Sequence, residues 1–367
     1  MHRAAPSRTA WPAAPLRLAL APLVVVALAA GLAGGLARAG VGLPAALAGD
    51  WLGPAAMAHA FLMVCAFMGT VIGVERAVAV RHPLAFAGPL ASGVAGAAAL
   101  CGWPASAAWL AAAAALAFVA VNVAVVMRQR AAHTVLLLVG ALAWAAGCLL
   151  HALGALPGAV VPWWFAFLVL TIAAERLEMT RLMRRRRGAA PALHAVLGAL
   201  LLGAGLSAVW PVEGGVLYGL ALAALAAWLL AFDIARRTVR AQGLSRYMAV
   251  CLLLGYVWLG VAGCAWTATA LGLPWRDAAL HALALGFVFG MMLGHAPVIL
   301  PAVARVKVLF GWPYYLPLVL LHGSLAVRLL AVHADARALA AGAAGNALAI
   351  ALFAATIAGS ALAWGRR

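Results

Sequence analysis

The stretch Asp277 to Lys307 reads DAALHALALGFVFGMMLGHAPVILPAVARVK, and it decides the class of the whole chain. It is long enough to cross a bilayer, for which about 20 mostly apolar residues suffice. It nevertheless carries His281 about one turn inside one end and His295 near the other. Ionisable side chains inside a span are costly and so mark functional candidates. At about 100° per residue, Asp277, His281, Leu285, Val288, Met292 and His295 share one helix face, and Gly286, Gly290 and Gly294 lie roughly opposite. The three glycines make a double G-x-x-x-G, whose ordinary use is close approach of a neighbouring helix. Pro297 and Pro301 remove backbone donors, so the helix is expected to break near that end.

Composition extends this reading to the rest of the chain. Of 367 residues, 68% are hydrophobic and 9% charged, too few polar side chains to cover a globule in water. The expected fold is all-α, a polytopic membrane protein of about 12 transmembrane helices forming a single domain over residues 1–367, with a short cytoplasmic segment 1–15. Apolar runs fall at roughly 16–37, 54–79, 84–102, 105–127, 133–154, 159–182, 190–210, 213–234, 246–272, 277–301, 312–332 and 338–364. Ala37-Arg38-Ala39 resembles a signal cleavage site, but the first run is longer than a signal core and reads as a retained helix. The net charge of +17 sits in loops, which points to the lipid bilayer and its anionic headgroups and away from nucleic acid. The five cysteines lie in apolar runs without C-x-x-C spacing and read as small core residues.

Charge placement gives the orientation. Alternate connections hold Arg76 with Arg81, Arg128 with Arg130, Arg184 to Arg187, Arg236 with Arg237 and Arg240, Arg305 with Lys307, and Arg366 with Arg367. Of the 25 basic residues, only Arg38, Arg276, Arg328 and Arg337 fall on the opposite side. By the positive-inside rule, the chain belongs in a bacterial inner membrane with both termini cytoplasmic. The tight connection at Arg81, His82 and Pro83 is the critical joint of that alternation.

A weak repeat is visible. Span two ends T-V-I-G-V-E-R (Thr70 to Arg76) and span six ends T-I-A-A-E-R (Thr171 to Arg176), while span ten ends with Arg305 on the same side. Spans two, six and ten are four helices apart, which suggests a ring of three four-helix arcs. Glu75 and Glu175 read first as neutralising partners of the adjacent arginines and second as members of a proton relay.

His59 lies about five residues into span two, and His281 is about as deep in span ten from the same side. Two neutral imidazoles at one level on separate helices could ligate a metal or take both axial positions of a haem. Met63, Ala66 and Thr70 follow His59 on its face as a small-to-medium lining for a flat macrocycle. His151 and His333 lie at the outer edge and are candidates to join the pair, whereas His82, His133 and His194 accompany cytoplasmic arginines. His322 is mid-span in helix eleven, six residues before Arg328, and with His295 these residues outline a polar path near the proline-rich end. Met57, Met63, Met68, Met291 and Met292 share spans two and ten with the key histidines, a donor set that also suits Cu(I). No H-E-x-x-H, phosphate-binding loop, dinucleotide fingerprint or nucleophile elbow is present.

The run H-A-L-A-L-G…M-M-L-G-H (His281 to His295) resembles the NnrS family of bacterial membrane proteins, and the layout of twelve helices with histidines in spans two and ten resembles subunit I of the haem-copper oxidases. The resemblance implies haem b bound at His59 and His281 and a role in redox or nitrosative-stress response. It is incomplete: span two reads A-H-A-F-L-M-V, with one histidine where NnrS-like sequences have H-x-H-E, and the interval from His281 to His295 is short for that family. Spans six and seven lack paired histidines, so the copper centre of an oxidase is not expected. The competing reading is a transporter of a small substrate or of copper ion, with His295, His322, Arg328, Glu75 and Glu175 along the path.

Overall fold

The computed structural model describes residues 13–44, 49–179, 188–331 and 335–366. Arg184 to Arg187 and His333 lie outside the described residues. Twelve helices are long and apolar enough to cross a membrane: α1 (Ala19–Arg38), α2 (His59–Val80), α3 (Pro83–Leu100), α4 (Pro104–Arg128), α5 (Ala132–Ala152), α6 (Pro157–Met179), α7 (Ala189–Leu206), α8 (Pro211–Phe232), α9 (Gly243–Ala270), α10 (Arg276–Pro301), α11 (Trp312–Ala331) and α12 (Ala336–Gly365). The protein is a multi-pass, all-α membrane protein. Helices are the natural solution in hydrocarbon, where each backbone donor must find its acceptor within the segment.

Helix boundaries follow from local chemistry. On one side, three of the turns pair a left-handed glycine with a following proline: Gly102 (φ 79°) before Pro104, Gly154 (φ 79°) before Pro157, and Gly272 (φ 87°) before Pro274. Glycine tolerates the positive φ that ends a helix, and Pro104 and Pro157, which open the next helices, lack only a donor that the first helical turn leaves unpaired. On the opposite side, the tight α2–α3 joint is made by Arg81, held at φ 58°, and by His82, whose Nδ1 accepts the Leu84 N–H at 3.3 Å. The helix at the end of α10 runs unbroken from Gly290 to Ala304 through both Pro297 and Pro301, and stops at Arg305 (φ 58°). The expected break at the prolines is therefore displaced to the left-handed residue that follows them.

Neighbours in sequence pack side by side, and α12 returns to α1 to close the ring. Inside it stand α2, α6 and α10, the three most buried of the twelve spans, with α2 touching both of the others. Their four-helix spacing is the one suggested by the E-R repeat. Midway along, Phe67 of α2 and Phe289 of α10 stack at 6.0 Å between ring centroids and 16° between planes.

Small residues set the helix separations. Lipid tails are as apolar as leucine side chains, so association in a bilayer depends on packing and polar contacts more than on expelling water. The glycine stripe of α10 faces α9, with Gly286 beneath Trp258 and Gly294 against Cys251, which is the packing role anticipated for it. Gly263 of α9 lies against α8, where an added Cβ would come within 2.5 Å of the Ala223 nitrogen. A Cβ at Gly290 would meet nothing closer than 3.7 Å. Gly263→Ala should therefore destabilise the protein by about 1–3 kcal/mol through overpacking against backbone. Gly290→Ala should leave the thermal unfolding midpoint of detergent-purified protein nearly unchanged.

Candidate functional site

His59 begins α2 and His281 lies about one turn into α10, and the fold brings them together. Their ring centroids are 6.4 Å apart and their planes 23° from parallel. Each ring is held from behind by oxygen. His59 Nδ1 is 2.7 Å from the carbonyl oxygen of Gly31 on α1. His281 Nδ1 is 3.0 Å from the Asp277 carbonyl oxygen and 3.0 Å from Asp277 Oδ1. Oxygens of these kinds only accept, so in the neutral ring each Nδ1 carries the hydrogen and each Nε2 keeps its lone pair. Neither Nε2 is hydrogen-bonded to a described residue. This is the tautomer a metal-ligating histidine uses, with the second nitrogen oriented by a carbonyl or carboxylate.

The surrounding sequence explains how the rings reach these positions. Gly35 on α1 leaves room for the His59 imidazole, since a Cβ there would lie 2.7 Å from Cε1. A short helix, Leu52–Met57, precedes His59 and is separated from it by Ala58 alone. Three residues after His59 and immediately after His281 the backbone becomes π-helical, over Leu62–Met68 in α2 and over Ala282–Phe289 in α10. Such segments are rare and concentrate at functional positions. They also shift the helical phase, so the single face drawn through Asp277, His281, Leu285 and His295 does not run the length of α10. The lining expected behind His59 is likewise absent: Met63 packs on Gly31, Ala66 on Gly96, and Thr70 Oγ1 donates to the Ala66 carbonyl at 2.6 Å. Those side chains serve contacts with α1 and α3.

Arg328 completes this end. Its Nε and Nη2 donate to Asp277 Oδ2 and Oδ1 at 2.9 and 2.7 Å, a bidentate pair joining α11 to α10. Gly342 of α12 lies against the Arg328 backbone and lets the two helices close around it.

A second cluster lies at the opposite ends of α2, α6 and α10. Arg76 Nη2 is 3.5 Å from both Glu75 Oε1 and Glu175 Oε1, so the two E-R dipeptides meet at one guanidinium. Arg176 Nη2 donates to His295 Nε2 at 3.1 Å, while His295 Nδ1 donates to the Met291 carbonyl at 2.7 Å. His133 and Glu178 approach to 3.9 Å nearby. The glutamates expected to neutralise the adjacent arginines both lie against Arg76, and Arg176 has an imidazole from α10 among its partners.

A protein-family profile described as a domain of unknown function, DUF8744, matches residues 17–362. The chain belongs to that family. No curated protein and no solved structure matches it.

In this DUF8744 chain the polar residues expected along one path divide between separate places. Arg328 belongs to the His281 end, and His295 to the cluster with Arg176. His322 stands apart: the Trp258 indole donates to its Nδ1 at 2.8 Å, so the proton of the neutral ring is on Nε2, which is buried without an acceptor among the described residues. His151 packs between Phe61 and Trp164, with centroids at 5.5 and 5.3 Å, beside the histidine pair but not in it. Sequence reading did not assign roles to Asp277 or to Gly31 and Gly35. The i,i+4 spacing of Asp277 and His281 was a usable signal, as the only acid of α10 one turn before a candidate ligand. A glycine carbonyl on another helix leaves no such trace.

Removing one member of a bidentate ion pair strands the other, whereas removing both is far milder. Asp277→Asn should lower stability in detergent and loosen His281, Arg328→Met should act similarly, and the double variant should lose less than the sum. A double-mutant cycle on thermal unfolding should return a coupling above about 1 kcal/mol.

Proposed function

We propose that His59 and His281 bind the iron of a haem b from opposite sides, making this a haem-binding membrane protein outside the oxidases. The observation carrying this is the 6.4 Å separation of two near-parallel imidazoles, each with Nδ1 bound to oxygen and Nε2 left available. A first-row metal ion bound by imidazole sits about 2.0 Å from the nitrogen, so at this ring separation His59 and His281 would both be close enough to hold one iron. The donor set also suits the group. No three His, Cys, Asp or Glu side chains among the described residues form a metal-holding group, so a bare ion would have two protein ligands here. Haem contributes four ring nitrogens of its own and needs only two from the protein. The cysteines offer no C-x-x-C-H pair for covalent attachment, which leaves the non-covalent b type.

Haem held by two imidazoles supplies one-electron redox chemistry. The chain's contribution is to orient both ligands before binding. Asp277 fixes the His281 tautomer and ring orientation, and Arg328 holds that carboxylate in place. The resemblance of His281 to His295 to NnrS-like sequences favours a role in redox or nitrosative-stress response. Charge alternation favours an inner-membrane location with the histidine pair toward the periplasm and both termini in the cytoplasm.

Transport of a small substrate or of copper ion is the second reading, supported by the part-buried Glu75–Arg76–Glu175 and Arg176–His295 contacts. Spectroscopy separates the two. Protein purified from cells supplied with haem should show a low-spin haem b spectrum. His59→Ala and His281→Ala should each abolish it or convert it to high spin. His295→Ala should keep it, since that residue is about 21 Å along α10 from His281 at 1.5 Å per residue. Wild-type protein without Soret absorption would leave transport as the better account. For topology, reporter fusions after Arg187 and after Arg367 should both report cytoplasm, and a periplasmic signal from either would overturn the orientation.

A further inference from the structure

The antiparallel seam between α2 and α5 is a ladder of three contacts. Phe61 meets His151 with ring centroids at 5.5 Å, the Cys65 and Cys148 sulfurs are 3.8 Å apart, and Gly69 lies under Trp144, whose ring would be 2.5 Å from an added Cβ. Both cysteines are fully buried, and they are 83 residues apart in sequence. The Trp144 indole N–H, one turn from Cys148, is buried without a hydrogen-bond partner among the described residues. Ser92, the nearest hydroxyl bonded to this part of α2, donates to the Cys65 carbonyl and not to its thiol. The two thiols are therefore polar partners of one another in a largely apolar seam.

We propose that Cys65 and Cys148 are a redox-active dithiol that closes to a disulfide between α2 and α5. A disulfide needs its sulfurs about 2.05 Å apart, so each must move by about 0.9 Å, a rotation of roughly 30° about its Cα–Cβ bond. The backbone on one side has the slack for this, because Cys65 lies in the π-helical segment Leu62–Met68, where the regular α-helical register is already relaxed. The product is neutral. A metal bis-thiolate at the same place would bury a net negative charge among apolar side chains, which is the costlier outcome. α5 belongs to the outer ring, so the thiols lie one helix away from lipid, the phase that holds lipid-soluble oxidants. With a quinone as oxidant the step balances without free charge: the two S–H bonds break, one S–S bond forms, and both protons and both electrons pass to the quinone to give the hydroquinone. The bond ties α5 to the helix that begins at His59, six residues earlier, so the thiol state sets how firmly that histidine is held.

The test uses the full chain in native membranes and does not depend on haem. Membranes are treated with the permeant oxidant diamide or with dithiothreitol, quenched with acid, denatured and alkylated with N-ethylmaleimide before mass analysis. Reduced protein should carry five adducts and oxidised protein three, with a Cys65–Cys148 peptide pair that disappears on reduction. Cys65→Ser should carry four adducts under both conditions. A variant retaining only these two cysteines, with Cys101→Ser, Cys251→Ala and Cys264→Ser, should lose both adducts on oxidation. Five adducts after diamide, or a bridge formed by other cysteines, would overturn the proposal. So would a native mass showing a soft metal ion retained by the two-cysteine variant and lost on Cys148→Ser.

Discussion

Burying a polar group away from water costs free energy unless it finds a partner, and in hydrocarbon no solvent offers a substitute. That constraint organises this bundle. With only eight acidic residues in the chain, Asp277 is shared between His281 and Arg328, and Arg76 is shared between Glu75 and Glu175. Elsewhere a neutral group serves, a glycine carbonyl for His59 and an indole for His322, and a histidine ring is among the partners of Arg176. The contacts of Asp277 with Arg328, Arg76 with Glu175, His59 with Gly31, Arg176 with His295 and His322 with Trp258 each join different spans, so these polar groups also determine which helices are neighbours. The three central helices carry most of this burden at their ends and are apolar and aromatic between them, as the Phe67–Phe289 stack shows.

The histidine pair and the charged cluster occupy opposite ends of the same two helices. The first has two available nitrogens and a small number of fixed oxygens behind them. The second has several charged groups largely satisfied by one another. Their chemistry differs accordingly: one end leaves two imidazole nitrogens without a hydrogen-bond partner among the described residues, and the other holds charge in a low-dielectric interior through mutual contacts.

Much of the architecture was legible in the sequence because hydrocarbon imposes few options. Hydropathy located twelve spans, and the recurring E-R dipeptides at Glu75–Arg76 and Glu175–Arg176 pointed to the central helices that bring them together. Equal depth in the bilayer was enough to pair His59 with His281. What escaped was anything depending on helix phase or on backbone acceptors. The π-helical turns have no compositional mark, so a face drawn at constant pitch placed Met63, Ala66 and Thr70 behind His59 as a lining, when they are committed to α1 and α3. Proline was likewise overread at Pro297 and Pro301, because a helix that has already turned most of its length can absorb the lost donors before ending at Arg305. The Gly31 carbonyl behind His59 depends on how closely α1 approaches, a property of three-dimensional packing that no local pattern encodes.

The wide turns after His59 and His281 act as swivels. In an unbroken α-helix the azimuth of a residue is locked to that of every residue further along, so a histidine at one end could not be re-aimed without rotating the charged groups at the other. A wide turn between them uncouples the two azimuths. Selection at the histidine-bearing ends of α2 and α10 is thereby free of the demands on Glu75, Arg76 and His295, and the aim of each imidazole can be adjusted over a few residues while the rest of the rod stays seated in its neighbours.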